Sequence, residues 1–85
     1  MRLTLKYFAS LREALGPGGT LDWHAEGEPT AAALRAWLRT QSDAHAQALA
    51  PGRAVRVAVD QALADESTPL HDGAEVAFFP PVTGG

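Results

Sequence analysis

The chain ends in Phe78-Phe79-Pro80-Pro81-Val82-Thr83-Gly84-Gly85. Its last two residues carry no side chains, so the reactive group at that end is the α-carboxylate of Gly85. Glycine lets a backbone enter a channel in which any Cβ would collide. Pro80 and Pro81 lack N–H donors and favour an extended polyproline path. Fully extended, Pro80 to Gly85 spans roughly 20 Å. These residue types suit a carboxylate presented deep inside another protein, on an arm made of Pro80, Pro81, Val82, Thr83 and Gly84. Taken alone, a Gly-Gly pair reads equally well as a frayed terminus.

Little else in the sequence offers chemistry. The 85 residues include no cysteine, which removes disulfides, thiolate metal sites and cysteine nucleophiles together. His24, His45 and His71 lack ligand spacing and read as surface residues. The Gly-Pro-Gly-Gly run at Gly16–Gly19 lacks the lysine of a phosphate loop and reads as a turn. Net charge is −3, with six arginines and one lysine scattered along the chain, so no basic stripe points to nucleic acid. No apolar run approaches the ~20 residues of a membrane span, and the start does not read as a signal peptide. The expectation is a cytoplasmic protein with no permanently bound cofactor and no metal.

The elements that must position the tail follow from periodicity. Arg2–Ala9 alternates apolar and polar residues and predicts a strand. Ser10 is an N-cap candidate for a short helix that carries Leu11 and Leu15 and stops at Gly16. Thr20–Ala25 predicts a second strand. Thr30 caps the main helix, whose apolar stripe is Leu34, Trp37 and Leu38. A shorter helical segment follows and closes at Pro51-Gly52. Ala54–Val59 is a strand, Asp60-Gln61 turns the chain into a short partner strand, and Ala74–Phe79 is the last strand. At 46% hydrophobic content the chain can pack a core. The order predicts an α+β fold, a β-grasp (ubiquitin-like) mixed sheet with one main helix on one face. Residues 1–79 form its single domain, and residues 80–85 form an extended tail. First and last strands should lie side by side and parallel.

One helix covers one face of a sheet. Leu3, Leu5, Val55, Val57, Val76 and Phe78 share the parity expected under it. Arg2, Thr4, Lys6, Arg56 and Glu75 share the other parity. Phe8 and Phe79 break the polar pattern of that open face, and Leu63 extends the exception. Apolar residues gathered on an exposed face mark a partner surface. Packing of Phe8 against the short helix, or an inward twist of Phe79, is the competing expectation.

The tail Asp72–Gly85, the start Leu5–Gly16 and the middle of the chain resemble the small-subunit family of molybdopterin synthase sulfur carriers. The likeness runs through nearly the whole chain in family order, and FFPPVTGG is its most specific part. The resemblance implies a sulfur carrier. An ATP-dependent activating enzyme would adenylate the Gly85 carboxylate, and a sulfur donor would convert the acyl-adenylate to a thiocarboxylate. Both are transient forms. The large synthase subunit, in a heterotetramer, would receive the tail and supply the catalytic residues, while sulfur passes to cyclic pyranopterin monophosphate to build the dithiolene. The resemblance also implies that Phe8, Arg12, Leu63 and Phe79 form the surface for both partners. Three other readings remain open: a ubiquitin-like modifier conjugated through Gly85, a thiamine-pathway sulfur carrier, and a β-grasp binding module without chemistry.

Overall fold

The computed structural model describes residues 1–81. Five strands, β1 (Arg2–Tyr7), β2 (Gly18–Asp22), β3 (Arg56–Val59), β4 (Ala62–Ala64) and β5 (Glu75–Phe79), form one sheet in the order β2-β1-β5-β3-β4. β1 and β5 are parallel at its centre, and the other neighbouring pairs are antiparallel. Three helices connect them: α1 (Ala9–Leu15), α2 (Ala31–Leu38) and α3 (Asp43–Ala48).

The core lies between α2 and one face of this sheet. Leu3, Leu5, Val57, Val76 and Phe78 are buried there, as their parity requires, and Val55 is half-buried at the edge. Burial of a leucine or phenylalanine side chain contributes about 1.5–3 kcal/mol relative to exposure. α2 begins as its sequence predicts: the Thr30 side-chain oxygen accepts a hydrogen bond from the Ala33 N–H at 3.1 Å. Ser42 caps α3 in the same way through the His45 N–H.

Several boundaries differ from the sequence reading, each for a physical reason. The cap of α1 is Phe8, in extended geometry and without a side-chain hydrogen bond, so Ser10 lies inside the helix. Ala9 makes the sharp entry to α1 with φ of 52°. β2 starts at Gly18, not Thr20, and ends at Asp22. Gly18 and Gly19, from the run expected to form a turn, are therefore in the sheet, while Gly16 ends α1. A Cβ on Gly18 would collide with the Leu5 carbonyl, and its φ of 98° disfavours other residues. Trp23, assigned by sequence to the strand, is buried in the core just beyond it.

α2 is also rotated slightly from the expected stripe. Its buried residues are Ala31, Leu34, Arg35 and Leu38, with Trp37 only half-buried. Arg35 is 5% exposed. Its guanidinium donates to the carbonyls of Leu49 (2.9 Å), Ala50 (2.6 Å) and Arg53 (3.1 Å) and to Glu66 Oε1 (2.6 Å). These carbonyls belong to the turn between α3 and β3, so one planar donor fork pins that turn to α2.

Candidate functional site

The open face of the sheet is ordered by strand register. Lys6 pairs with Ala77, Ala77 with Ala58, and Ala58 with Leu63, which makes one row across β1, β5, β3 and β4. Phe79 pairs with Arg56 in the next row. The Phe8 N–H donates to the Phe78 carbonyl at 3.2 Å and continues the parallel β1–β5 ladder by one residue. Phe8 therefore lies beside Phe79, as the two parities imply. Phe8 is 44% exposed and Phe79 is half-buried. Phe8 thus remains on the surface rather than packed away against α1.

Leu63 reaches the same face through a tight hairpin. Asp60 and Gln61 have φ of 52° and 68° between β3 and β4. Two consecutive positive φ values mark the turn whose twist matches the flanking strands. The turn leaves Leu63 71% exposed. Arg12 lies on α1, exposed and without an ion pair among the described residues. Pro80 and Pro81 follow β5 directly. Both are half-buried. Val82, Thr83, Gly84 and Gly85 lie outside the described residues.

Charges on this face are largely paired. Lys6 Nζ lies 3.1 Å from Glu75 Oε1, and Arg2 pairs with Asp22 at 3.2 Å. His71 Nε2 lies 2.6 Å from Asp60 Oδ2, and Asp60 Oδ1 accepts from the Glu75 N–H. The Glu75 amide and His71 hold the Asp60 carboxyl below its ordinary value, while Asp60 and the Asp72 carbonyl raise His71. Arg56 makes no ion pair among the described residues, and neither does Arg12. Sequence reasoning placed Arg56 on the open face but missed its position beside Phe79. Strand pairing supplies that relation, and a single strand does not encode it.

Beneath Phe8 the chain turns inward. Tyr7 is buried, its ring stacked on Phe78 with centroids 6.3 Å apart, and its hydroxyl has no hydrogen-bond partner among the described residues. Burial pushes the Tyr7 phenol up to about 12. It is a neutral core group. Among the described residues no group of three or more His, Asp or Glu side chains is arranged to hold a metal. No described helix is long and apolar enough to cross a membrane. The described body thus presents partly exposed apolar residues on an open sheet face next to the base of the tail.

Comparison with known proteins assigns that architecture. Residues 5–85 match the ThiS family. The chain belongs to this family. The molybdopterin synthase sulfur carrier subunit of Escherichia coli (strain K12) is 48% identical over 79 residues, covering 93% of this chain and 94% of the relative. The subunit of the same name from Haemophilus influenzae is 38% identical over 84 residues, covering 98% and 99%. The crystal structure of SAMP1 from Haloferax volcanii superposes with a TM-score of 0.75 at 26% identity, covering all of both chains. A complex of subunits 1 and 2 of molybdopterin-converting factor from Helicobacter pylori contains a chain with the same fold, at TM-score 0.66 and 24% identity over the full length of both chains. The β-grasp expectation and the family resemblance are therefore both borne out.

Proposed function

We infer that this chain is the sulfur-carrier small subunit of a molybdopterin synthase. The observation that carries the reading is the 48% identity to a subunit of that name across 93% of the chain. The face bearing Phe8, Phe79 and Leu63 beside the base of the tail supports it.

The chemistry follows from the terminus. A carboxylate is a poor electrophile. The Gly85 carboxylate attacks the α-phosphorus of ATP on an activating enzyme, releasing pyrophosphate and forming an acyl-adenylate. Hydrosulfide-level sulfur from a donor then attacks the acyl carbon, AMP leaves, and the acyl carbon keeps the sulfur as a thiocarboxylate. This chain has no cysteine on which to carry a persulfide, so the terminus is the available seat for sulfur. The loaded tail enters the large subunit, where sulfur passes to the pterin precursor. Catalytic residues belong to the large subunit, and this chain contributes the nucleophile and its delivery. Its setting is the cytoplasm, where ATP is available.

Gly84→Val tests the loading step. The β-branched side chain widens the tip and restricts its backbone. The variant is expected to unfold at the wild-type midpoint yet to lose thiocarboxylation. Loading at the wild-type rate contradicts a narrow channel for the tail.

The likeness to a chain described as small archaeal modifier protein 1, at 27% identity, favours protein conjugation as a second reading. Conjugation would join Gly85 to target lysines. Blots under denaturing conditions separate the two, because only conjugation leaves adducts that survive denaturation and thiol reductants.

A further inference from the structure

The open face has a gap between its apolar residues. Leu63 is two strands and one row away from Phe79. Strand spacing puts their Cα atoms roughly 12 Å apart, too far for the two side chains to meet. The position between them is Ala58, which pairs with Leu63 on one side and Ala77 on the other. Ala58 and Ala77 are both short, and the residues in the adjoining rows are longer: Arg56 and Phe79 on one side, Asp60 and Glu75 on the other. A methyl group among such neighbours makes low ground. Ala77, next to it, is 7% exposed. The cation beside the gap is Arg56, which makes no ion pair among the described residues, whereas Lys6 is paired with Glu75.

We propose that the large subunit places one apolar side chain over Ala58, between Phe79 and Leu63, and sets a carboxylate against Arg56. The proposal rests on the sulfur-carrier reading and specifies how its partner is recognised. Filling the gap joins Leu63 to the Phe8–Phe79 pair in one desolvated patch, the arrangement that gives central interface contacts their weight. The arginine supplies register and steers the approach of an acidic rim. Its position one pair from the tail base aligns the patch with the tail's direction of entry.

The test uses the full chain and the purified large subunit in a titration, with unfolding followed on every variant. Ala58→Leu fills the low ground from an outward position. It is expected to keep the wild-type midpoint and to weaken binding by roughly ten- to a hundredfold. Ala58→Ser keeps the site small and is expected to bind as the wild type does. Arg56→Glu does not change the floor. It is expected to weaken binding about tenfold or more and to remove the fall in association rate with salt. Wild-type binding by Ala58→Leu overturns the inserted side chain, and an unchanged Arg56→Glu overturns the carboxylate. Self-association of the wild-type chain that Ala58→Leu abolishes also overturns the proposal, because the occupant is then a second copy. Failure of the wild type itself to bind the large subunit contradicts the sulfur-carrier reading instead.

Discussion

Tyr7 and Phe78 are register partners in the parallel β1–β5 pair, with their rings stacked on the covered face of the sheet. One residue further along each strand, Phe8 and Phe79 lie on the open face. Two aromatic pairs, one step apart in sequence, thus serve opposite sides. Phe78→Ala is expected to destabilise the protein by about 3–5 kcal/mol. Phe79→Ala is expected to leave most of the stability and to weaken large-subunit binding about 30-fold. Denaturant unfolding and titration calorimetry on both variants check the assignment. Unfolding by Phe79→Ala with mere loss of binding in Phe78→Ala contradicts the strand parity.

Gln61 adopts φ of 68° in the β3–β4 turn, a conformation that glycine occupies without penalty. Gln61→Gly should therefore stabilise the hairpin by roughly 1 kcal/mol. A rise in the urea midpoint with an unchanged slope is the expected result. A fall in the midpoint contradicts the turn geometry.

This turn also shows how much could be read in advance. Asp60-Gln61 was legible as a turn because two apolar runs flank two polar residues. The parity of β1 and β5 was legible because alternation is a local property of each strand. Arg35 was not identified. It lies among Ala31, Leu34 and Leu38 at helical spacing, a signal that the sequence did contain, but an arginine there reads as solvated until its carbonyl partners are known. The glycines of β2 were misassigned because glycine marks turns and close backbone approaches alike. The Phe79–Arg56 and Ala58–Leu63 relations depend on strand pairing between distant segments, which composition and period do not encode.

Arg35 satisfies three backbone carbonyls and pairs with a glutamate that is half exposed. Arg35→Met keeps much of the apolar stem but leaves those acceptors without a donor. The expected loss is about 3 kcal/mol. Arg35→Lys should recover only part of it, because a point ammonium cannot reproduce the fork. Thermal unfolding of both variants checks this, and a methionine variant of wild-type stability contradicts the role assigned to the network.

The His71–Asp60 contact predicts a pH window. His71 is raised from its ordinary 6.5, so its contribution is complete below that value and is lost as the pH rises through its folded value. Asp60 is lowered from 3.8, so its contribution is complete above that value and is lost as the pH falls through its folded value. Both are fully present between 3.8 and 6.5. The unfolding midpoint should drop as the pH is raised from this window into the alkaline range. His71→Gln should flatten that drop. An identical alkaline loss in the variant contradicts the contact's contribution.

The central claim concerns the Gly85 carboxylate, and the intact mass of the chain tests it most directly. The protein is incubated with ATP, its activating enzyme and a sulfur source, alongside a variant lacking Gly85 and one extended by a single residue. The account predicts the mass increase of one oxygen-to-sulfur exchange in the native chain, located in its C-terminal peptide, and no increase in either variant. An unchanged native mass, or full loading of the truncated chain, contradicts it.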